Sequence, residues 1–199
     1  MYENGLGEEM NYWQGTHVRL RGIEPSDAEA FFAWNQDSDM GRHLDRLWPP
    51  GSLERAKQLT QKEATQEPSG DELRWVIEDR QGEFVGMIDT HHCDRRTGCF
   101  MYAVAIRREH QRKGYASEAI TLVLRYFFEE LRYQKVTVDV HGDNPASVAL
   151  HEKLGFQLEG RIRRMVFAGG KHYDLLIYGL TAEEFRAAYP SASGGAMQG

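Results

Sequence analysis

The sequence lacks any long apolar run, since none approaches the roughly 20 residues that a helix needs to cross a bilayer. It also lacks a basic excess, because 24 Lys and Arg stand against 30 Asp and Glu, which leaves a net charge of −6. A nucleic-acid-binding protein usually carries a basic footprint. Residues 1–11 are acidic and contain glycine, which is not the pattern of a signal peptide. We therefore expect a cytoplasmic protein that binds no membrane and no nucleic acid.

Cysteine is scarce, with Cys93 and Cys99 as the two in the chain. They flank a predicted hairpin turn and could pair in an oxidising medium, although reduced structural thiols are the default in a cytosolic chain. His91 and His92 stand beside them, but this spacing matches no common zinc pattern, and no second ligand cluster follows. The sequence therefore predicts no metal centre.

Two common phosphate-binding motifs are missing as well. The sequence contains no G-x-x-x-x-G-K-(S/T), and no G-x-G-x-x-G follows a predicted strand. The second absence argues against a dinucleotide-binding fold.

The chain has instead a short basic loop, centred on Gly114, between a predicted strand and a predicted helix. Upstream, Phe100–Ile106 is an apolar run typical of a buried strand. Downstream, apolar residues recur at the three-four spacing of an amphipathic helix: Ala116, Ala119, Ile120, Val123, Leu124, Phe127, Phe128 and Leu131. A glycine loop at a helix N-terminus offers unpaired N–H groups to an anion, and Arg112 and Lys113 add positive charge. The loop predicts a phosphate cradle, and an ordinary strand-to-helix turn is the alternative.

The predicted order of elements is strand, helix, helix, three strands, helix, strand, helix and two strands, which indicates a mixed α/β fold. Val136, Val138 and Val140 alternate with polar residues, so that period two places Thr137, Asp139 and His141 on the opposite face of a strand. Asn144 follows as a predicted helix N-cap, with Pro145 at the first position and Gly155 just past the end.

These motifs together resemble the GNAT N-acetyltransferases. Gln111-x-x-Gly114-x-Ala116 is similar to the family signature (Q/R)-x-x-G-x-(G/A). The likeness continues in Asn144-Pro-Ala-Ser147, Glu152-Lys-Leu-Gly-Phe156 and Glu159-Gly-Arg161, as in the branch of ribosomal-protein-alanine and spermidine N-acetyltransferases.

The resemblance covers roughly residues 16–185 and implies the fold. The expected structure is a mixed, mostly antiparallel sheet of about six to seven strands, flanked by about four helices. Its strands splay apart to form a cofactor cleft. We expect residues 16–189 to form one acetyltransferase-like domain, between a flexible segment at residues 1–15 and a disordered tail at residues 190–199.

The resemblance also implies acetyl-coenzyme A (acetyl-CoA) as the donor, with coenzyme A (CoA) as the product. Backbone groups of one strand segment would pair with the pantetheine arm, and the loop amides would hold the pyrophosphate. The implied binding residues are Val104, Ala105, Ile106, Gln111, Arg112, Lys113, Gly114, Tyr115, Ala116, Ser117, Asn144 and Ser147.

The implied chemistry is direct attack by a primary amine, without a covalent enzyme intermediate. Offsets of three and seven residues place Asn144, Ser147 and His151 along one helical face. In the family the asparagine orients cofactor or substrate, and the residue seven on is commonly a tyrosine that protonates the leaving thiolate. His151 stands there instead. An imidazole titrates near neutrality and could donate that proton, or His151 is a surface or cofactor-contact residue.

The sequence defines less clearly the general base that would take the proton of the attacking amine. Asp139 stands where one branch of the family has a glutamate that acts through water, and a hydrogen-bonded strand residue is the alternative. His141 is a rival, Glu83 and His92 are weaker candidates, and a water chain could serve instead.

The expected function is therefore acetyl transfer to a small-molecule or peptide amine, with the acceptor left open. Trp34, Trp48 and Tyr173 are candidate acceptor walls. The alternatives are a non-catalytic acyl-CoA sensor and an enzyme that uses another acyl-CoA, such as succinyl-CoA. The resemblance also allows a homodimer formed through the last strands.

Overall fold

The computed structural model describes residues 11–38, 41, 47 and 49–190. Trp48, one of the candidate acceptor walls, lies outside the described residues. So do residues 1–10 of the segment expected to be flexible and residues 191–199 of the expected tail.

Seven strands and five helices are formed by the described residues. The strands are β1 (Val18–Arg21), β2 (Arg74–Asp79), β3 (Phe84–Asp94), β4 (Cys99–Ile106), β5 (Lys135–His141), β6 (Gln157–Ala168) and β7 (Lys171–Thr181). The helices are α1 (Ala28–Trp34), α2 (Leu53–Thr65), α3 (Tyr115–Arg125), α4 (Pro145–Lys153) and α5 (Ala182–Ala188). A 3₁₀ turn, Arg108–His110, precedes the Gly114 loop, and a π-helical turn, Tyr126–Glu130, extends α3.

The strands form one open sheet in the order β1-β2-β3-β4-β5-β7-β6. All neighbours are antiparallel except β4 and β5, which are parallel. Their pairing runs only from Cys99 opposite Lys135 to Met101 opposite Thr137. Beyond that point β4 stays paired with β3 and β5 stays paired with β7, so the sheet opens between them. The predicted sheet and its splay are confirmed.

The two faces of the sheet are covered by different helices. On one face Phe100 of β4 stacks on Phe127, with ring centroids 4.2 Å apart, and His151 of α4 packs over Tyr102. On the other face Phe31 and Trp34 of α1 pack on Phe84, at 5.3 and 5.4 Å between ring centroids. Aromatic packing of this kind contributes about 0.5–1.5 kcal/mol per pair beyond area burial. The opening between β4 and β5 therefore lies between a face that α3 and α4 cover and a face that α1 covers.

The short helix α5 was not part of the predicted order of elements. It begins with a capping box, in which Thr181 Oγ1 accepts the Glu184 N–H at 3.3 Å and Glu184 Oε2 accepts the Thr181 N–H at 2.8 Å. Phe185 is fully buried against Phe128. A Thr-x-x-Glu signature therefore starts a helix immediately after the last strand.

Candidate active site

The Gly114 loop has the backbone geometry of an anion cradle. Gly114 lies at φ +86° and immediately precedes α3, and Arg112 also lies in the left-handed region at φ +60°. A Cβ added at Gly114 would meet no heavy atom within 4 Å, so the main chain is open at this point. The first N–H groups of α3 face the same space without helical acceptors. Gln111 Nε2 holds the loop by donating to the Ile106 carbonyl at 3.1 Å.

Glu118 fixes the first turn of α3 to the beginning of the sheet. Its carboxylate accepts the backbone N–H of His17 at 2.8 Å and that of Val18 at 3.0 Å, and it also accepts the N–H of Thr16. A carboxylate that satisfies several N–H groups makes charge-assisted bonds. This carboxylate was not among the residues singled out from the sequence, because its partners lie about a hundred positions away in the chain.

A cleft of about 860 Å³ runs from the cradle into the opening between β4 and β5. The predicted cofactor-binding residues lie along it, except for Lys113: Val104, Ala105, Ile106, Gln111, Arg112, Gly114, Tyr115, Ala116, Ser117, Asn144 and Ser147. Lys113 places its ammonium 6.0 Å from the centre of the Tyr115 ring. Past Met101, no described strand pairs with the β5-facing edge of β4, which leaves backbone groups available to an extended ligand.

Helix α4 brings Asn144, Ser147 and His151 to the same cleft. Asn144 caps the helix, with its side-chain oxygen accepting the Ser147 N–H at 3.1 Å. His151 is only 4% exposed, and its Nδ1 lies 2.8 Å from the Ser147 carbonyl oxygen. Since a carbonyl only accepts, Nδ1 carries the proton in that bond. Nε2 then has a lone pair and has no hydrogen-bond partner among the described residues.

Burial lowers the pKa of His151, and its bond to the Ser147 carbonyl opposes this only in part. The neutral imidazole is therefore the favoured form near pH 7, because burial penalises the charged form. A neutral ring protonated on Nδ1 can accept a proton at Nε2 but has none to give there. The acid role of His151 stays a prediction, and it requires the imidazolium that this environment disfavours.

Tyr102 lies directly beside His151 and was read from the sequence only as part of an apolar strand. The two rings are 6.0 Å apart between centroids and nearly parallel, at 29°. Tyr102 is 5% exposed and lines the cleft. Its hydroxyl has no hydrogen-bond partner in the described part of the chain. Buried hydroxyls normally have a partner, so this one calls for an explanation.

The other face of the opening carries acidic side chains. Asp89 stands opposite Ala103, His91 opposite Met101, and Met101 opposite Thr137, so all of these share the face on which Asp139 lies. Asp139 is exposed and lines the cleft. His91 Nδ1 lies 3.2 Å from Asp89 Oδ1. This contact raises the pKa of His91 despite its partial burial, and the nearby charges of Glu72 and Asp139 act in the same direction.

A second pocket of about 350 Å³ opens on that face, between α1 and the strands. Phe31, Trp34 and Met87 give it apolar walls, Asp37 and Asp89 give it carboxylates, and the cationic side chain of Arg74 also lines it. Asp37 lines the cleft as well, so the two spaces meet. Asp37 also pairs with Arg108, at 3.2 Å.

Most of the remaining candidates lie away from both spaces. Of the two candidate walls that the structure describes, Trp34 lines the pocket, and Tyr173 instead pairs with Val166 in the β6–β7 hairpin. His92 contacts Met101 Sδ at 3.4 Å, and His141 pairs with Leu175. Neither histidine is among the described residues that line the cleft or the pocket.

Glu83 lies in a different cluster from the active-site cleft. Its Oε1 is 3.2 Å from His110 Nε2, and Asp79 stands close by, which is the one three-residue group with metal-ligand geometry in the described part of the chain. Asp79 Oδ1 already accepts two backbone N–H groups, from Gln81 and Glu83. The turn contacts account for Asp79 and the ion pair for Glu83. His110 also lines the cleft, and its Nδ1 has no hydrogen-bond partner in the described part of the chain. Both cysteines are free thiols outside this group.

Comparison with known proteins settles the family. A family model described as the acetyltransferase (GNAT) domain matches residues 17–157. The chain belongs to the GNAT acetyltransferase family. It is 39% identical over 176 residues to the SPbeta prophage-derived uncharacterized N-acetyltransferase YokL of Bacillus subtilis (strain 168), covering 88% of this chain and 96% of that protein. It is 27% identical over 163 residues to a spermidine N(1)-acetyltransferase of Vibrio cholerae, covering 80% and 90% of the two chains.

The structural comparison agrees with this assignment. The crystal structure of spermidine N-acetyltransferase from Vibrio cholerae in complex with CoA and spermine matches with a TM-score of 0.75, covering 86% of this chain and 99% of that one. At 24% identity this likeness shows the fold. The predicted family, fold and activity are thus confirmed: this GNAT protein is an N-acetyltransferase that moves an acetyl group to an amine. GNAT acetyltransferases take that group from acetyl-CoA.

Proposed function

We propose that this GNAT protein transfers the acetyl group of acetyl-CoA to a primary amine of a small polycationic molecule. The observation that carries this proposal is the junction of the two spaces: a cleft that begins at an anion cradle meets a pocket with carboxylates and aromatic walls. One space suits an anionic, extended donor substrate, and the other suits a cationic acceptor.

The donor side fits acetyl-CoA through this chain's own groups. The αL glycine and the helix N-terminus offer N–H groups to phosphate oxygens, with Arg112 beside them. The unpaired edge of β4 from Val104 to Ile106 offers backbone donors and acceptors to the amides of a pantetheine arm. In the reaction, acetyl-CoA supplies an activated thioester. Asn144 and Ser147 line the opposite wall of the cleft, from α4.

The acceptor side favours an amine with a second positive charge. Asp89 stands in the pocket beside His91, and Asp37 lies at the junction, where it pairs with Arg108. An ammonium group at either point would share the carboxylate with that partner. Phe31, Trp34 and Met87 supply surface for methylene groups between the charges. The Vibrio cholerae relative, whose structure contains spermine, acts on molecules of this kind.

Asp139 is the proposed proton acceptor for the attacking amine. It lies on the acceptor face of β5, one residue past Val138 at the opening, and it is exposed enough to act through a water molecule. An amine must lose its proton to attack a thioester, and a carboxylate within one water of the nitrogen supplies that path. Asp139→Asn should lower kcat by about 10²-fold, the lower part of the usual range for general bases.

The test is release of free thiol from acetyl-CoA with a panel of amines at fixed pH, with succinyl-CoA as the comparator donor. A polyamine should give a higher kcat/KM than a monoamine of equal length, and Asp89→Asn should reduce that preference. Glu67→Gln removes an exposed charge that does not line the pocket, and it should leave the preference unchanged. Equal kcat/KM values for the polyamine and the monoamine would overturn the proposed acceptor class. If no amine in the panel increases thiol release, the proposed transfer would be overturned.

We also propose that two copies of the chain pair through the β6 edge of the sheet. Leu158, Ile162, Met165 and Phe167 on β6 are 51%, 46%, 64% and 64% exposed. β6 is an edge strand, whose unpaired backbone groups can pair with a second strand of the same kind. Met165→Lys with Phe167→Lys should give monomers in sedimentation velocity. The control Leu59→Lys, at a leucine on α2 that is 51% exposed, should leave dimers intact.

None of the helices in the described part of the chain has the length and apolar character that a bilayer crossing requires. A cytoplasmic location, where acetyl-CoA is made and used, is part of the proposal. Fractionation of cells that express the tagged protein tests it, and recovery in the membrane fraction would contradict it.

A further inference from the structure

The parallel pair β4–β5 closes at one end of the cleft, and Tyr102 stands just inside that closed end. The last paired residues are Met101 and Thr137, so Tyr102 on β4 and Val138 on β5 are the first residues beyond the junction. Both line the cleft. From Tyr102 to the cradle side of β4 is four residues, or about 13 Å at the usual strand rise. A donor arm that enters from the cradle and runs along β4 therefore ends its path beside Tyr102.

The groups on the α4 side of that closed end differ in what they can donate. His151 is held with its Nδ1 proton on the Ser147 carbonyl and presents a lone pair at Nε2. Tyr102 presents a hydroxyl that is buried, without a partner in the described chain, and uncharged because burial raises its pKa well above its ordinary value. The packing around them is apolar, with Phe156 at 5.2 Å from His151 and 6.2 Å from Tyr102 between ring centroids. Of the pair, Tyr102 is the one with a proton to share.

We infer that the Tyr102 hydroxyl donates a hydrogen bond to the sulfur of the donor as the thioester breaks, and that His151 positions the Tyr102 ring. The inference rests on the proposed placement of acetyl-CoA in the cleft. The amine nitrogen forms a bond to the carbonyl carbon and loses a proton towards Asp139 and solvent. The carbon–sulfur bond breaks with both electrons going to sulfur, and the thiolate accepts the Tyr102 hydrogen bond. It becomes the free thiol by taking a solvent proton as the product leaves through the open cleft.

A hydrogen-bond donor that is fixed in a site with little water strongly stabilises the charge that develops in the transition state. Removal of one such hydrogen-bond donor typically lowers kcat by about 10²–10³-fold. Burial makes the unpartnered hydroxyl of Tyr102 costly in the free protein. It also prevents water from competing with the sulfur for the hydrogen bond of this hydroxyl. Tyr102 on β4 would therefore stabilise the leaving thiolate, a role that the resemblance assigned to the residue at position 151.

Tyr178 provides a matched control for the packing of these rings. It stacks on His151 at 6.3 Å and 25°, is 2% exposed, and its hydroxyl already bonds to Glu152 Oε1 at 3.1 Å. It does not line the cleft. Tyr178→Phe therefore removes a hydroxyl from the same aromatic cluster without removing one from the cleft.

The decisive experiment measures the thiol pKa of CoA bound to the enzyme, from the ultraviolet absorbance of the thiolate, in wild type, Tyr102→Phe and Tyr178→Phe. This readout needs no acceptor and no turnover. If Tyr102 donates to the sulfur, the wild type and Tyr178→Phe should show a lower thiol pKa than Tyr102→Phe. In parallel, kcat should fall by about 10²-fold in Tyr102→Phe, with the KM for acetyl-CoA within about twofold of wild type.

Equal thiol pKa values in the three proteins would overturn the inference, even if all of them acetylate an amine. Failure of every protein to bind CoA would instead overturn the proposed cleft. If Tyr102→Phe is poorly folded, 3-fluorotyrosine at position 102 keeps the ring and changes only the acidity of the hydroxyl. Its fluorine resonance should shift when CoA binds, and the absence of any shift would place the hydroxyl away from the ligand.

Discussion

Replacement of Gly114 by Asp and by Asn separates the shape of the cradle from its charge. Both residues tolerate the left-handed region better than other L-residues, although either carries a cost at φ +86°. Neither meets a neighbour at Cβ, because nothing lies within 4 Å of that position. The two variants therefore share their strain and differ by one negative charge.

The magnitude follows from Coulomb's law. A carboxylate about 5 Å from one phosphate charge, at an effective dielectric constant of about 20, is repelled by about 3 kcal/mol. That energy is roughly a hundredfold in Kd. Calorimetric titration with acetyl-CoA should thus give a Kd about a hundredfold weaker for Gly114→Asp than for Gly114→Asn, with the gap narrowing as salt is added. Equal Kd values for the two variants, with both folded by circular dichroism, would refute the placement of phosphate at this loop.

Two further predictions concern the groups that hold the site in place. Glu118→Gln should lower the free energy of unfolding by about 1–3 kcal/mol, because the carboxylate accepts the backbone N–H groups that begin β1; urea unfolding measures this, and an unchanged midpoint would contradict it. Asp89→Asn should lower the free energy of unfolding, relative to wild type, only at low pH. The bond to Asp89 raises the folded-state pKa of His91. The stability that this bond contributes is therefore complete below the unfolded-state pKa of histidine, near 6.5, and it disappears as pH rises through the folded-state pKa of His91. Thermal melts of wild type and Asp89→Asn should therefore differ at pH 5.5 and converge above that folded pKa, whereas a constant difference across pH would indicate a role for Asp89 other than pairing with His91.

The cradle could be predicted from sequence because its physics is local. A strand, a glycine and an amphipathic helix are consecutive in the chain, and the αL conformation of Gly114 follows from the turn that joins them. The same is true of Asn144, whose cap bond reaches only three residues ahead. Such contacts need no knowledge of the sheet.

The acceptor side could not be predicted in this way, because sheet register creates it. Asp89 and Asp139 are 50 positions apart in sequence numbering and share a face only because Met101 pairs with both His91 and Thr137. Period-two alternation in β3 was a usable signal, but the order of strands was needed to interpret it. Tyr102 posed a different problem. A tyrosine in an apolar strand normally packs its ring and finds a partner for its hydroxyl, and only the structure shows that this hydroxyl has none among the described residues.

The central claim is that acetyl-CoA lies in the cleft from the Gly114 loop to the junction of β4 and β5. Amide chemical-shift mapping of the isotope-labelled protein during titration with acetyl-CoA tests it most directly. We expect large shifts for the amides of Arg112 to Ser117 and of Val104 to Ile106, with small shifts for the exposed edge strand β6. Saturable binding that leaves the amides of the cradle and of β4 unperturbed would contradict it.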